Sequence, residues 1–173
     1  KMGSFTGELN LESLKNIGIN YTLVGHYERR KIMYEEYEMA KEKLFKSLSS
    51  KFQTILCVGE EKRMRKPFSY VKKELNFYLR SIESSSIKYL SIAYEPNWAI
   101  GTGDVQDISK IEQTVNLIKD YVHKKYNFEV EVYYGGSING ENIKAIYDVC
   151  DGVVLGKIST DYKSLSSLLS NIK

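Results

Sequence analysis

Five times along this chain a short apolar run is followed by a segment whose apolar residues recur at helical spacing. No other feature restricts the fold as tightly. The runs fall at residues 21–24, 54–58, 89–93, 130–134 and 152–155. The helical segments are expected at about 9–17 before the first run, then at 35–49, 68–82, 107–125, 142–149 and 162–171. Leu11, Leu14 and Ile17 would share one face of the first helix. Val71, Leu75, Leu79 and Ile82 form a stripe on another, and Ile108, Ile111, Val115, Ile118 and Val122 on a third. Gly18 is placed to stop the first helix, and Pro67 to sit in the first turn of its own. Strands alternating with helices, with no linker between them, argue for an α/β fold with a parallel sheet and helices outside it.

The hand of parallel crossovers sharpens this. If each strand lies beside its predecessor, the helices all fall on one face and the sheet curls toward a barrel. A closed eight-stranded barrel takes about 250 residues, and this chain has 173. The expectation is a single domain over 1–173 holding about five β/α units, equivalent to strands four to eight of a barrel, with three units missing from the front. Five unclosed strands would leave two edges and an apolar inner face uncovered.

In such folds chemistry gathers at the carboxyl ends of strands, and each of the five runs ends in polar residues or glycine. The third ends in Glu95, followed by Pro96-Asn97-Trp98-Ala99-Ile100-Gly101-Thr102-Gly103. A carboxylate there, before a rigid and then flexible loop, reads as a general base beneath a mobile lid. The first run ends in Gly25-His26. An imidazole at the positive start of a helical turn, receiving a backbone N–H, would be disfavoured from taking a second proton. It could then donate a hydrogen bond to a substrate oxygen. Gly135-Gly136-Ser137 and Gly156-Lys157 follow the last two runs, where main-chain N–H groups can approach an anion. Taken singly each has a plain reading: a capping carboxylate, a structural histidine, an ordinary turn. Together, all at strand ends, they argue for one pocket.

Net charge is +3 with the cations spread through the chain, which gives no reason to expect nucleic acid or a membrane surface. The densest basic run, Lys62-Arg63-Met64-Arg65-Lys66, reads as a solvated loop, and His123 as a surface residue. Cys57 and Cys150 are too few for a disulfide framework and read as buried thiols in a reducing compartment. No stretch is apolar for long enough to span a bilayer, and Lys1-Met2-Gly3-Ser4 opens no signal-peptide core. A cytoplasmic protein is expected, with an organelle left open.

These motifs resemble the triosephosphate isomerase family. The resemblance is carried by Gly3-Ser4-Phe5-Thr6-Gly7-Glu8, Gly25-His26-Tyr27-Glu28-Arg29-Arg30 and Cys57-Val58-Gly59-Glu60. It continues through Ala93-Tyr94-Glu95-Pro96-Asn97-Trp98-Ala99-Ile100-Gly101-Thr102-Gly103, Tyr134-Gly135-Gly136-Ser137 and Asp151-Gly152-Val153-Val154-Leu155-Gly156. Order and spacing agree from end to end, and the long motif around Glu95 is the specific one. The resemblance implies a (β/α)8 TIM barrel and an isomerase of glycolysis and gluconeogenesis acting on a triose phosphate, with no metal or organic cofactor. It implies Glu95 as the proton-shuttling base, a neutral His26 as the electrophile and Glu28 as a further polar group. Gly101, Ser137, Gly156 and Lys157 would hold the phosphate. Residues 96–103, with Pro96, Trp98 and Gly103, would form the lid. The loop Phe5-Thr6-Gly7-Glu8 would dock a homodimer.

The chain also departs from the family pattern. Tyr27 stands where most members carry serine, and Lys157 where they carry a second glycine. Asp104-Val105-Gln106 is an unusual lid hinge. The front of the barrel, with the asparagine and lysine that the family places after its first strand, has no counterpart. A second reading therefore stands beside the isomerase: a catalytically impaired short relative that keeps phosphate binding or an assembly role.

Overall fold

The computed structural model describes residues 6–172. Its five strands are β1 (Tyr21–Val24), β2 (Gln53–Val58), β3 (Leu90–Tyr94), β4 (Val132–Gly135) and β5 (Gly152–Val154). They form one sheet in the order β1-β2-β3-β4-β5, and every neighbouring pair is parallel. Sequential parallel neighbours joined by right-handed crossovers place the helices on one face and curl the sheet.

Among the described residues seven α-helices connect or flank the strands: α1 (Leu11–Asn16), α2 (Tyr27–Lys31), α3 (Tyr37–Ser49), α4 (Phe68–Leu79), α5 (Ile108–Tyr126), α6 (Ile143–Tyr147) and α7 (Tyr162–Ser170). The core lies between the sheet and α3 to α7. In the sheet it comprises Val24, Leu56, Val58, Ile92, Tyr94, Val132 and Tyr134, which alternate along their strands as one face of a pleat must. Against them pack Leu44 and Leu48 of α3, Val71, Leu75 and Leu79 of α4, and Ile111, Val115, Ile118 and Val122 of α5. Each such side chain contributes about 1.5–3 kcal/mol by leaving water. The stripes read from helical spacing in α4 and α5 are thus the buried ones, apart from Ile108, which is only partly covered.

The opposite face of the sheet is less covered. The register aligns Leu23, Ile55 and Ser91 across it. Leu23 is 43% exposed and Tyr21, on the edge strand, 68%. Beside that edge, α1 buries none of its residues. Leu11 and Leu14 are half-covered and Ile17 is exposed, so the first helical stripe does not enter the core.

α2 is the helical turn expected to start at His26, which caps it. One further boundary differs from the periodicity. α3 begins two residues later than its pattern suggests, because Tyr34 takes a left-handed φ of 52° and turns the chain, leaving Glu35 outside the helix. Cys57 is buried as expected. Cys150 is only half-buried, its thiol donating to the carbonyls of Ile146 and Gly152 at 3.0 Å.

Candidate active site

The carboxyl ends of the five strands carry, in order, Gly25-His26, Gly59-Glu60, Glu95, Gly136-Ser137 and, one residue beyond Leu155, Gly156-Lys157. The first and third meet directly. Nε2 of His26 lies 3.8 Å from Oε2 of Glu95. They stand on β1 and β3, with the end of β2 between them.

His26 is the N-cap of α2. Its Nδ1 accepts the backbone N–H of Glu28 at 3.3 Å, satisfying one of the unpaired donors at the helix start. Because Nδ1 uses its lone pair there, the proton of the uncharged ring sits on Nε2, the nitrogen facing Glu95. The side chain of Glu28 is exposed, and its nearest link to His26 is this main-chain N–H.

Glu95 is buried, and among the described residues its Oε2 accepts no hydrogen bond. Burial pushes its carboxyl above the usual carboxylate range. His26, the Cys57 thiol and the Arg30 guanidinium pull the other way, and Glu28 adds to the rise. Burial also pushes up the Cys57 thiol, with the nearby Glu95 carboxylate adding to it. A carboxylate oxygen with no protein partner, held near a hydrogen-bond donor and in low dielectric, is equipped to take a proton from carbon.

Two glycines make this placement possible. The backbone N–H of Glu95 donates to Val58 O at 2.8 Å, drawing the end of β3 against the end of β2. A Cβ on Gly59 would lie 1.9 Å from the Glu95 carbonyl oxygen, so only glycine fits. On the other side, a Cβ on Gly135 would come within 2.6 Å of Cγ and Oε1 of Glu95. The carboxylate therefore leans on the bare backbone at the end of β4.

Residues 96–103 lie tied down. The Ser137 hydroxyl donates to Ala99 O at 2.7 Å and accepts the Gly103 N–H at 3.0 Å, and the Thr102 hydroxyl donates to Trp98 O at 3.2 Å. Pro96 is buried, whereas Gly101 and Gly103 are exposed. Gly156 and Lys157 are exposed at the end of β5 and hydrogen-bond to none of His26, Glu95 or Ser137.

Glu60 is a site residue that the sequence reading quoted but gave no role. Its buried Oε1 accepts from Trp98 Nε1 at 3.1 Å, from the Tyr94 hydroxyl at 3.2 Å and from Gln106 Nε2 at 3.3 Å. The signal was present, since Glu60 is a carboxylate at a strand end, as Glu95 is. The basic run after it is not wholly free in solvent. The Arg63 guanidinium lies 4.1 Å over the Trp98 ring and 3.4 Å from Asp104. Two surface clefts, about 620 Å³ between α3 and α4 and about 410 Å³ beside α7, contain neither His26 nor Glu95.

A model of the triosephosphate isomerase family matches residues 1–172. The chain belongs to the triosephosphate isomerase family. It is 38% identical over 168 residues to the triosephosphate isomerase of Mycoplasma genitalium, covering 94% of this chain and 68% of that protein. It is 37% identical over 166 residues to that of Alkaliphilus metalliredigens, covering 91% and 67%. With that of Orientia tsutsugamushi strain Boryong it is 34% identical over 176 residues, covering 99% and 70%. This is an enzyme family of isomerases, and its TIM-type α/β fold agrees with the curled parallel sheet. The chain spans about two thirds of the length of these triosephosphate isomerases. Among the described residues no helix is long and apolar enough to cross a membrane, and no group of three or more His, Cys, Asp or Glu side chains is placed to hold a metal ion.

Proposed function

We propose that this chain interconverts dihydroxyacetone phosphate and glyceraldehyde 3-phosphate by moving one proton between adjacent carbons. The supporting observation is the buried Oε2 of Glu95, which accepts no hydrogen bond among the described residues, set 3.8 Å from Nε2 of His26. Glu95 takes a proton from C1 of the ketose. The electron pair of that C–H bond becomes the carbon–carbon double bond, and the carbonyl oxygen gains the charge. Nε2–H of His26 donates to that oxygen. The proton of the C1 hydroxyl passes to that oxygen by way of His26 Nε2, Glu95 returns the carbon proton to C2, and the C1 oxygen closes to the aldehyde. That a neutral imidazole fills the electrophile's role is carried over from the family resemblance. The Glu28 N–H on Nδ1 agrees with it.

The phosphate sits at the far end of the pocket, held by main-chain N–H groups of Gly101, Ser137, Gly156 and Lys157. The Ser137 hydroxyl is already engaged with Ala99 and Gly103, so its backbone is the part that meets the ligand. The Lys157 ammonium adds charge. Residues 96–103 act as the lid. By excluding water it protects an enediolate that could otherwise lose its phosphate.

The family's dimeric habit carries over as a homodimer through the loop at residues 5–8. Phe5 lies outside the described residues. Glu8, at the loop's end, pairs with Arg29 at 3.0 Å and Lys43 at 2.9 Å, and these two also hold the buried Glu35 at 2.9 and 2.7 Å. That network anchors the end of the loop to α2 and α3.

The test is deuterium wash-in at C1 of dihydroxyacetone phosphate in heavy water, followed by NMR. It detects proton abstraction even when turnover is slow. Glu95→Gln should slow exchange by about 10²- to 10⁴-fold. Exchange in that variant equal to the parent's would exclude Glu95 as the base. Phosphate-ester binding without any wash-in by the parent chain would instead favour the impaired, ligand-binding relative.

A further inference from the structure

The lid reading leaves one cation unexplained. Arg63 lies in the loop after β2, within a basic run that looks solvated, yet it reaches two separate points of the segment that follows Glu95. Its guanidinium is stacked 4.1 Å over the Trp98 indole, near the segment's beginning. It also meets the Asp104 carboxylate at 3.4 Å, near the segment's end. Beneath it, Glu60 makes a second bridge in parallel, accepting from Trp98 on one side and Gln106 on the other. Gln106 is locked further, its N–H donating to the Tyr134 hydroxyl at 3.3 Å and its Oε1 accepting the Asp107 N–H at 3.1 Å. The two ends of the segment are thus joined through the β2 loop twice, once by buried hydrogen bonds and once by a charged clasp at the surface.

We propose that Arg63 is a lid-positioning residue, clasping Trp98 and Asp104 so that both hinges of residues 96–104 are held down together over the Glu95–His26 pair. The proposal rests on the lid reading above. A clasp of this kind suits the function assigned to it. The buried Glu60 contacts set where the hinges sit, while the outer contacts are exposed, with side-chain exposures of 54% for Arg63 and 63% for Asp104. Exposed cation–π and ion-pair contacts are individually weak. They can bias the lid without preventing its release.

Trp98 is the sole tryptophan in the chain, so its fluorescence reports the clasp directly. The experiment measures acrylamide quenching of Trp98, with and without glycerol 3-phosphate, in the parent, Arg63→Ala and Arg63→Lys. Loss of one stacked guanidinium and one exposed ion pair should raise the lid's open population about fivefold. Quenching in Arg63→Ala should therefore rise clearly, and the concentration of glycerol 3-phosphate giving half-protection should rise by a similar factor. Arg63→Lys should fall between, since an ammonium keeps the pair with Asp104 but stacks less well. In the absence of glycerol 3-phosphate, raising ionic strength to about 1 M should move quenching of the parent toward that of Arg63→Ala and leave quenching of that variant unchanged. A parent protected by glycerol 3-phosphate, with Arg63→Ala quenched and protected identically, overturns the assignment of Arg63 alone. A parent whose Trp98 ignores glycerol 3-phosphate overturns the lid reading, and the positioning role with it.

Discussion

Replacing Gly135 with alanine should damage chemistry far more than it damages the fold. The new Cβ would lie 2.6 Å from both Cγ and Oε1 of Glu95 and 3.0 Å from its Cδ. Ordinary carbon contacts begin near 3.5 Å, so the carboxylate has to move by about 1 Å. It cannot do so by shifting its backbone, because the Glu95 N–H is bonded to Val58 O and its carbonyl is packed against Gly59. The side chain must turn instead, and the 3.8 Å relation to His26 changes. A misplacement of about 1 Å in a catalytic group costs about 10²-fold in rate. Overpacking at one position costs about 1–3 kcal/mol of stability. Deuterium wash-in at C1 of dihydroxyacetone phosphate, measured beside urea unfolding, separates the two. The expected result is exchange slowed by about two orders of magnitude in a protein that still unfolds cooperatively. Exchange within a few-fold of the parent would refute the claim that Glu95 is positioned by the bare backbone of Gly135.

Gly59→Ala should behave differently, because its Cβ would meet main chain at 1.9 Å rather than a side chain. It should destabilise by about 3 kcal/mol or more, read as a lowered urea midpoint followed by Trp98 emission, and a midpoint unchanged from the parent would contradict the close approach. Glu74 makes stability depend on pH. Burial raises its carboxyl from 4.5 to about 7, against the opposing pull of Arg30 at 3.6 Å, the Gly59 N–H at 2.8 Å and the Tyr37 hydroxyl at 3.3 Å. A raised carboxyl holds its proton longer in the folded than in the unfolded chain, so its contribution is full below about pH 4.5 and is lost as pH rises through about 7. The swing is about 3 kcal/mol, and Glu95, also raised, acts in the same direction. Urea midpoints should therefore fall between about pH 5 and 8 in the parent. In Glu74→Gln, which stays neutral at every pH as protonated Glu74 does below about 7, that slope should be reduced; parallel pH profiles would exclude Glu74 as the source.

Sheet order, strand positions and the buried faces of α4 and α5 were legible because each is set by local pattern: apolar runs of strand length, and apolar residues three and four apart. The meeting of His26 with Glu95 was legible for a related reason, since parallel topology sends every strand's carboxyl end to one rim. What could not be read was a side-chain contact with a distant residue that the strand topology does not itself impose. Glu35 looked like the first residue of a helix, but it is a buried carboxylate paired with Arg29 and Lys43. Arg63 looked solvated because the spacing of a basic run says nothing about an indole 35 positions later. The stripe on α1 has a regular helical period yet no surface to bury against among the described residues. Periodicity states what a helix could cover, and only packing determines whether it does.

The placement of Glu95 does not depend on how the rest of the sheet is covered. It is set by three adjacent strand ends: the bond to Val58 and the bare Gly59 on β2's side, and the bare Gly135 on β4's side. His26 is placed by its own cap on α2, and its helix is fastened by Arg30, whose Nε donates to Gly25 O at 2.9 Å and whose guanidinium faces Glu74 of α4. Every one of these contacts lies within the stretch from β1 to β4. The exposed edge at Tyr21 and Leu23 lies outside that chain of contacts. Opening or covering that edge should therefore change stability and association before it changes the distance between the carboxylate and the imidazole.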